Sequence, residues 1–168
     1  MKKFGLILAP LCFCSLSHAE GFNFEPLYIG GGISSNRLDG FDNATGYQLF
    51  AGYNFEYMLG PVTTSVEAGY MDSGDFDLDL TTPGFTFSPP SDNATGAWLS
   101  ANFGFPVNES FELLGRIGYD FGNDDGALLG VGVEYQASKK MGIRGEYITR
   151  REINSLQVNF VYYPRWLK

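Results

Sequence analysis

Apolar and polar residues alternate along eight segments, each close to the ~9–11 residues of a tilted membrane-crossing strand. The apolar positions run Leu27, Ile29, Gly31, Ile33 and then Tyr47, Leu49, Ala51, Tyr53, Phe55. Val66, Ala68, Tyr70 follow within 63–71, and Ala97, Leu99, Ala101, Phe103, Phe105 make the fourth segment. The fifth holds Phe111, Leu113, Ile117, Tyr119, Phe121 and the sixth Leu129, Val131, Val133, Tyr135. Met141, Ile143, Tyr147 within 141–149 and Leu156, Val158, Phe160, Tyr162, Trp166 complete the series. Period two over eight short runs predicts an all-β chain with one apolar face.

The opposite faces decide the solvent. They carry Gln48, Asn54, Glu67, Ser100, Asn102, Glu112, Arg116, Asp120, Glu134, Gln136, Arg144, Glu146, Gln157 and Asn159, with glycine at many remaining positions. No strand places a lysine there, as a water-facing sheet commonly does. Small residues mixed with acids, amides and arginines suit a narrow lumen. In lipid every backbone group must pair within the protein, so the sheet has to close, and eight is the smallest common closure. The pattern therefore predicts an eight-stranded antiparallel transmembrane β-barrel.

With the N-terminus in the periplasm, the aromatics sort to the strand ends. Tyr47, Tyr70, Tyr119, Phe121 and Tyr147 fall at the outer end, and Phe55, Phe103, Phe105, Phe111, Tyr135, Tyr162 and Trp166 at the inner end. Two aromatic girdles around an aliphatic band are what a barrel's two interfaces require. Inner connections near 56–61, 106–110 and 137–140 are short. Outer ones at 35–46 and 72–96 are long, while those at 122–126 and 150–154 are short. A repeat, Asp42-Asn43-Ala44-Thr45-Gly46 and Asp92-Asn93-Ala94-Thr95-Gly96, ends each time where an inward-running strand begins. It reads as hairpin duplication with turn-forming residues.

The N-terminus reads as an address. Lys2 and Lys3, the apolar run Phe4 to Phe13 and Ser17-His18-Ala19 make residues 1–19 a cleavable signal peptide, with the barrel domain over 20–168. Leu11 and Phe13 precede Cys12 and Cys14, where a lipidated cysteine follows a small residue. Removing Lys2 and Lys3 leaves nine of the 11 basic residues against 19 acidic ones, a net charge of −10. Both cysteines and the single histidine leave with the signal. That excludes Ser-His and Cys-His catalysis and removes the commonest transition-metal ligands, while the acidic charge disfavours nucleic acid. No cofactor is implied.

Met141-Gly142-Ile143-Arg144-Gly145-Glu146-Tyr147, followed by Ser155-Leu156-Gln157-Val158-Asn159-Phe160-Val161-Tyr162-Tyr163, resembles the last two strands of the small outer-membrane β-barrel family, the OmpA transmembrane domain and the OmpX/Ail-like proteins. The resemblance extends over Leu27 to Trp166. It implies outer-membrane insertion by the barrel-assembly machinery, contact with lipid and lipopolysaccharide, and a monomeric barrel. Family members usually end on an aromatic residue. Here Leu167 and Lys168 follow Trp166, with the alternation before them intact. Lipid-A deacylase, palmitoyltransferase, omptin and phospholipase barrels all use histidine, so none of their mechanisms transfers.

Two candidate sites follow. Glu67, Arg116 and Glu146 belong near mid-height in the lumen, with Glu112, Glu134 and Arg144 towards the inner end. Buried charges need partners, so the six form either a structural ion-pair plug or a gate in which Arg116 exchanges acidic partners. The second is the acidic outer loop, Asp72, Asp75, Asp77, Asp79 and Asp92. Alternation over 75–80 extends this hairpin beyond the lipid and puts Asp75, Asp77 and Asp79 on one face, a carboxylate set suited to Ca²⁺ or Mg²⁺ or simply to solvent. Nearby Phe76, Leu78, Phe85, Phe87, Pro89 and Pro90 offer a surface for a host or other surface partner, or for packing within the loop.

Overall fold

The computed structural model describes residues 26–38, 43–76 and 92–164. Eight strands follow one another along the chain: β1 (Leu27–Leu38), β2 (Ala44–Leu59), β3 (Val62–Phe76), β4 (Asp92–Pro106), β5 (Phe111–Asp120), β6 (Gly126–Ser138), β7 (Met141–Thr149) and β8 (Ile153–Tyr162). Each pairs antiparallel with its neighbour, and β1 pairs β8, so the sheet is a closed barrel. Closure satisfies the backbone of every strand within the sheet, the condition for crossing hydrocarbon. Among the described residues no helix is long and apolar enough to cross a membrane.

All eight alternating segments are strands, and the face assignment holds. Ile33, Leu49, Val131 and Leu156 are among the most outward-exposed aliphatics, whereas Glu67, Arg116, Arg144 and Glu146 are buried inside. Tyr47, Tyr70, Tyr119, Phe121 and Tyr147 face outward at one end. Phe55, Phe105, Phe111 and Tyr135 do so at the other. Tyr162 is half-buried, and Trp166 lies outside the described residues.

The second outer hairpin extends as the alternation over 75–80 predicts, as far as the described residues reach, and the first is longer than expected. β1 continues to Leu38, β2 begins at Ala44, β3 runs to Phe76 and β4 starts at Asp92. At 15 residues each, β3 and β4 are about 50 Å long at the strand rise. That exceeds what a tilted strand needs to cross, so much of the expected loop is paired strand standing beyond the lipid. Beyond the hydrocarbon the outward face meets water, and the apolar alternation has no reason to continue.

The lumen is also less uniformly polar than predicted. Tyr28, Phe50, Met71, Trp98, Leu128, Ile148 and Val161 form a buried apolar cluster inside the barrel. Inward glycines make room for it. A methyl at Gly30 would meet the Phe50 ring at 2.3 Å, one at Gly52 the Tyr28 ring at 2.2 Å and one at Gly69 the Trp98 ring at 2.5 Å.

Candidate functional site

Four strands aim charge at the middle of the lumen. Inward parity and register place Glu67 on β3, Arg116 on β5, Glu134 on β6, and Arg144 and Glu146 on β7; Glu134 and Arg144 stand directly opposite one another. Arg116 Nη2 donates to Glu67 Oε2 at 2.5 Å and lies 3.1 Å from Glu146 Oε1. Arg144 Nη1 donates to Glu67 Oε1 at 2.5 Å and its Nε to Glu134 Oε2 at 3.0 Å, with Nη2 2.9 Å from the same oxygen. None of these five side chains is more than 4 % exposed. Charges so deep require both pairing and hydrogen bonds, and the wall supplies the rest. Tyr28 donates to Glu67 (2.7 Å), Tyr163 to Glu134 (2.6 Å) and Asn159 to Glu146 (3.0 Å). The Arg116 guanidinium also sits 4.9 Å from the Trp98 ring centroid, a favourable cation–π approach.

Five of the six lumen residues singled out in sequence are thus one connected cluster. Glu112 stands apart. It accepts from the Thr63 hydroxyl and faces Glu134 across the β5–β6 register, and among the described residues no cation is bonded to it. It lines a cavity of about 770 Å³ at the inner end, whose wall includes Asn54, Asn102, Gln136 and Tyr163 and which reaches Glu134 and Arg144.

Sequence reasoning missed a second pair. Arg150 Nε donates to Asp120 Oδ2 at 3.0 Å and its Nη1 to Ser155, all buried near the outer end. Arg150 read as a turn residue, yet the inward parity of Arg144, Glu146 and Ile148 continues to it, and that was the available signal. Above the pair, Leu38, Ala44, Ala94 and Ile153 pack into a small apolar cluster at the outer end. Ala44 and Ala94 are the same position of the two repeat copies, so the repeat builds part of this cluster. Asp124 ties the last two outer turns together by accepting the backbone N–H groups of Glu152 (3.1 Å) and Ile153 (3.2 Å).

The outer acidic residues are only partly in view. Asp72 is half-buried and accepts the Gly74 N–H at 2.9 Å. Asp75 is exposed and pairs with Asn93 in register, while Asp92 pairs with Phe76. Asp77 and Asp79 lie outside the described residues, as do Leu78, Phe85, Phe87, Pro89 and Pro90. Among the described residues no group of three or more acidic, histidine or cysteine side chains is placed to hold a metal ion.

A closed antiparallel sheet, apolar outside and charged inside, defines an integral membrane β-barrel. The chain belongs to the outer membrane protein beta-barrel domain family, whose model matches residues 6–162. No curated protein matches it. Among solved structures it is similar to a de novo designed transmembrane β-barrel, with a TM-score of 0.57, 15 % identity and coverage of 82 % of this chain and 94 % of that one. It is also similar to Yersinia pestis Ail. In a phospholipid bilayer nanodisc Ail gives a TM-score of 0.53 at 15 % identity, covering 81 % and 97 % of the two chains. The crystal structure of Ail gives 0.50 at 16 % identity, covering 82 % and 95 %. At such identities the likeness establishes the fold, and the family places the protein in the outer membrane.

Proposed function

We propose that the protein is a non-enzymatic envelope component that works with a closed lumen. After export and removal of residues 1–19, the barrel anchors in the outer membrane and presents its projecting outer hairpins to ions, lipopolysaccharide or a surface partner. The observation that carries this reading is the filled lumen. The five-residue ion-pair cluster, the Phe50–Met71–Trp98–Leu128–Ile148 belt packed against it and the outer apolar cluster occupy the lumen above the inner cavity. Histidine is absent from residues 20–168, which supports the non-catalytic part. Purified protein in planar bilayers should give no steady ionic current. A stable wild-type conductance would refute the closed lumen.

One observation favours a second reading, a small gated pore. The inner cavity reaches Arg144 and Glu134, so the charged cluster is the layer that stops it. Arg116→Ala should then admit ion-sized currents, and unchanged silence in that variant removes the gate.

A further inference from the structure

Charge does not balance inside the barrel. At and below the ion-pair cluster, the described residues aim four carboxylates inward, Glu67, Glu112, Glu134 and Glu146, against two guanidiniums, Arg116 and Arg144. Four acids against two cations leave an excess of two negative charges. Nearer the outer end Arg150 and Asp120 cancel each other. At the inner mouth the exposed Glu109 and Lys139 do the same. Excess negative charge inside a barrel set in lipid is costly unless something positive joins it.

The excess lies beside open space. Glu112 and Glu134 both line the inner cavity of about 770 Å³, a size typical of small-molecule sites. Glycines let both carboxylates lie against the wall. A methyl at Gly104 would collide with the Glu112 carboxylate, and one at Gly142 with that of Glu134. Glu134 is satisfied there by Arg144 and Tyr163. Half-buried Glu112 has, among the described residues, only the neutral Thr63 hydroxyl.

The rest of the wall selects the kind of cation. A bare divalent ion takes about six or more oxygens at close range. Among the described residues no group of three or more acidic, histidine or cysteine side chains is placed to hold one. The cavity offers instead the rings of Tyr28 and Tyr163, with centroids 5.3 Å apart, beside Asn54, Asn102 and Ser65. Aromatic rings attract an organic ammonium and cover its methylene groups, while amide and hydroxyl oxygens accept its N–H groups.

We propose that the inner cavity binds a small organic cation, a linear diamine in chemistry, with the Glu112 carboxylate as its counter-ion. Two ammonium groups match the excess of two charges. The cavity is ringed by the inner turns at Asn108, Glu109 and Lys139, so the ligand enters from the periplasmic side. The site is separate from the outer hairpins, and it is occupied whether or not the lumen conducts.

The test is calorimetric titration of the folded protein in lipid nanodiscs with putrescine, using butanediol as the uncharged analogue and potassium chloride as competitor. Saturable binding of putrescine and none of butanediol is expected. Glu112→Gln should weaken the binding roughly tenfold or more. Glu152→Gln, which removes an exposed carboxylate at the outer end, should bind as wild type does. That separates the cavity from general attraction to an acidic protein. No saturable binding, or binding that Glu112→Gln leaves unchanged, overturns the site. Displacement by an equal concentration of potassium overturns the organic ligand and assigns the excess charge to salt ions.

Discussion

At the scale of single residues, Arg144 and Glu112 are both inward-facing and charged, yet they should behave in opposite ways. Arg144 bonds Glu67 and Glu134, and its loss would leave three buried carboxylates with Arg116 alone. Breaking a buried pair from one side typically costs 3–5 kcal/mol. Arg144→Leu should therefore destabilise the barrel by about that amount, read as a lower urea midpoint for refolding in detergent micelles. Glu112→Gln keeps an oxygen to accept from Thr63 and removes a like charge opposite Glu134. Its midpoint should move by less than about 1 kcal/mol, as unpaired surface-type sites do. Parity along the strands made both residues legible as lumen charges. It could not distinguish them, because partnership depends on which strands face one another across the barrel. Trp98 was assigned to neither girdle nor lumen cluster for the same reason. Its place between Met71 and Arg116 is set by curvature, which the local pattern does not encode.

At the scale of elements, the β3–β4 hairpin depends on an irregularity. The register shifts between Asp72 and Asp75, and Gly74 takes up the extra residue at φ +74°. Asp72 accepts the Gly74 N–H, Ser73 Oγ accepts from Ala94 N, and Asn36 donates to the Ser73 carbonyl. Such a bulge bends a strand and sharpens its twist, here where the hairpin leaves the membrane. A methyl at Gly74 would sit 2.2 Å from the Thr45 carbonyl oxygen, on a backbone conformation that disfavours any side chain. Gly74→Ala should cost more than about 1 kcal/mol, seen in the same urea assay. Asp72, Ser73 and Gly74 open the outer connection expected at 72–96, and the structure makes them a bulge within a continuing strand. The difference lies in the partner strand, which local sequence does not reveal.

Asp124 supplies a pH dependence at this scale. Its burial raises the carboxyl above its ordinary range, against the opposing pull of the Ile153 and Glu152 N–H groups. The folded state therefore keeps the proton at pH values where the unfolded chain has released it. The associated stability is complete below the ordinary carboxylate range and is lost as pH rises through the raised value. Asp124→Asn retains an oxygen for both N–H groups and does not ionise. It should remove that pH-dependent loss and leave the variant more heat-resistant than wild type at neutral pH. A variant that follows the wild-type curve through mild acid would show that Asp124 does not set the slope.

At the scale of the whole molecule, stability and surface function are separable. Eight strands close through the β1–β8 register, from Ile29↔Tyr162 to Leu38↔Ile153, and the lumen is packed from β1 to β8. Past Asp72 and Thr95, β3 and β4 pair in the sheet only with each other, and the residues there that touch other strands, Ser73 and Ala94, lie before Phe76 and after Asp92. Joining Phe76 to Asp92 through a short turn should therefore leave the closed barrel intact. Closed barrels resist detergent until heated, so boiled and unboiled samples of both proteins should migrate differently on a gel. Under the proposed function, the shortened protein should at the same time lose adhesion or serum survival conferred by the full-length one. Retained heat-modifiability with unchanged surface phenotype would move the contact surface off this hairpin, leaving the β1–β2 projection to carry it. Lost heat-modifiability would mean that the hairpin beyond the lipid is part of what closes the barrel, and the division between anchor and presented surface would fail.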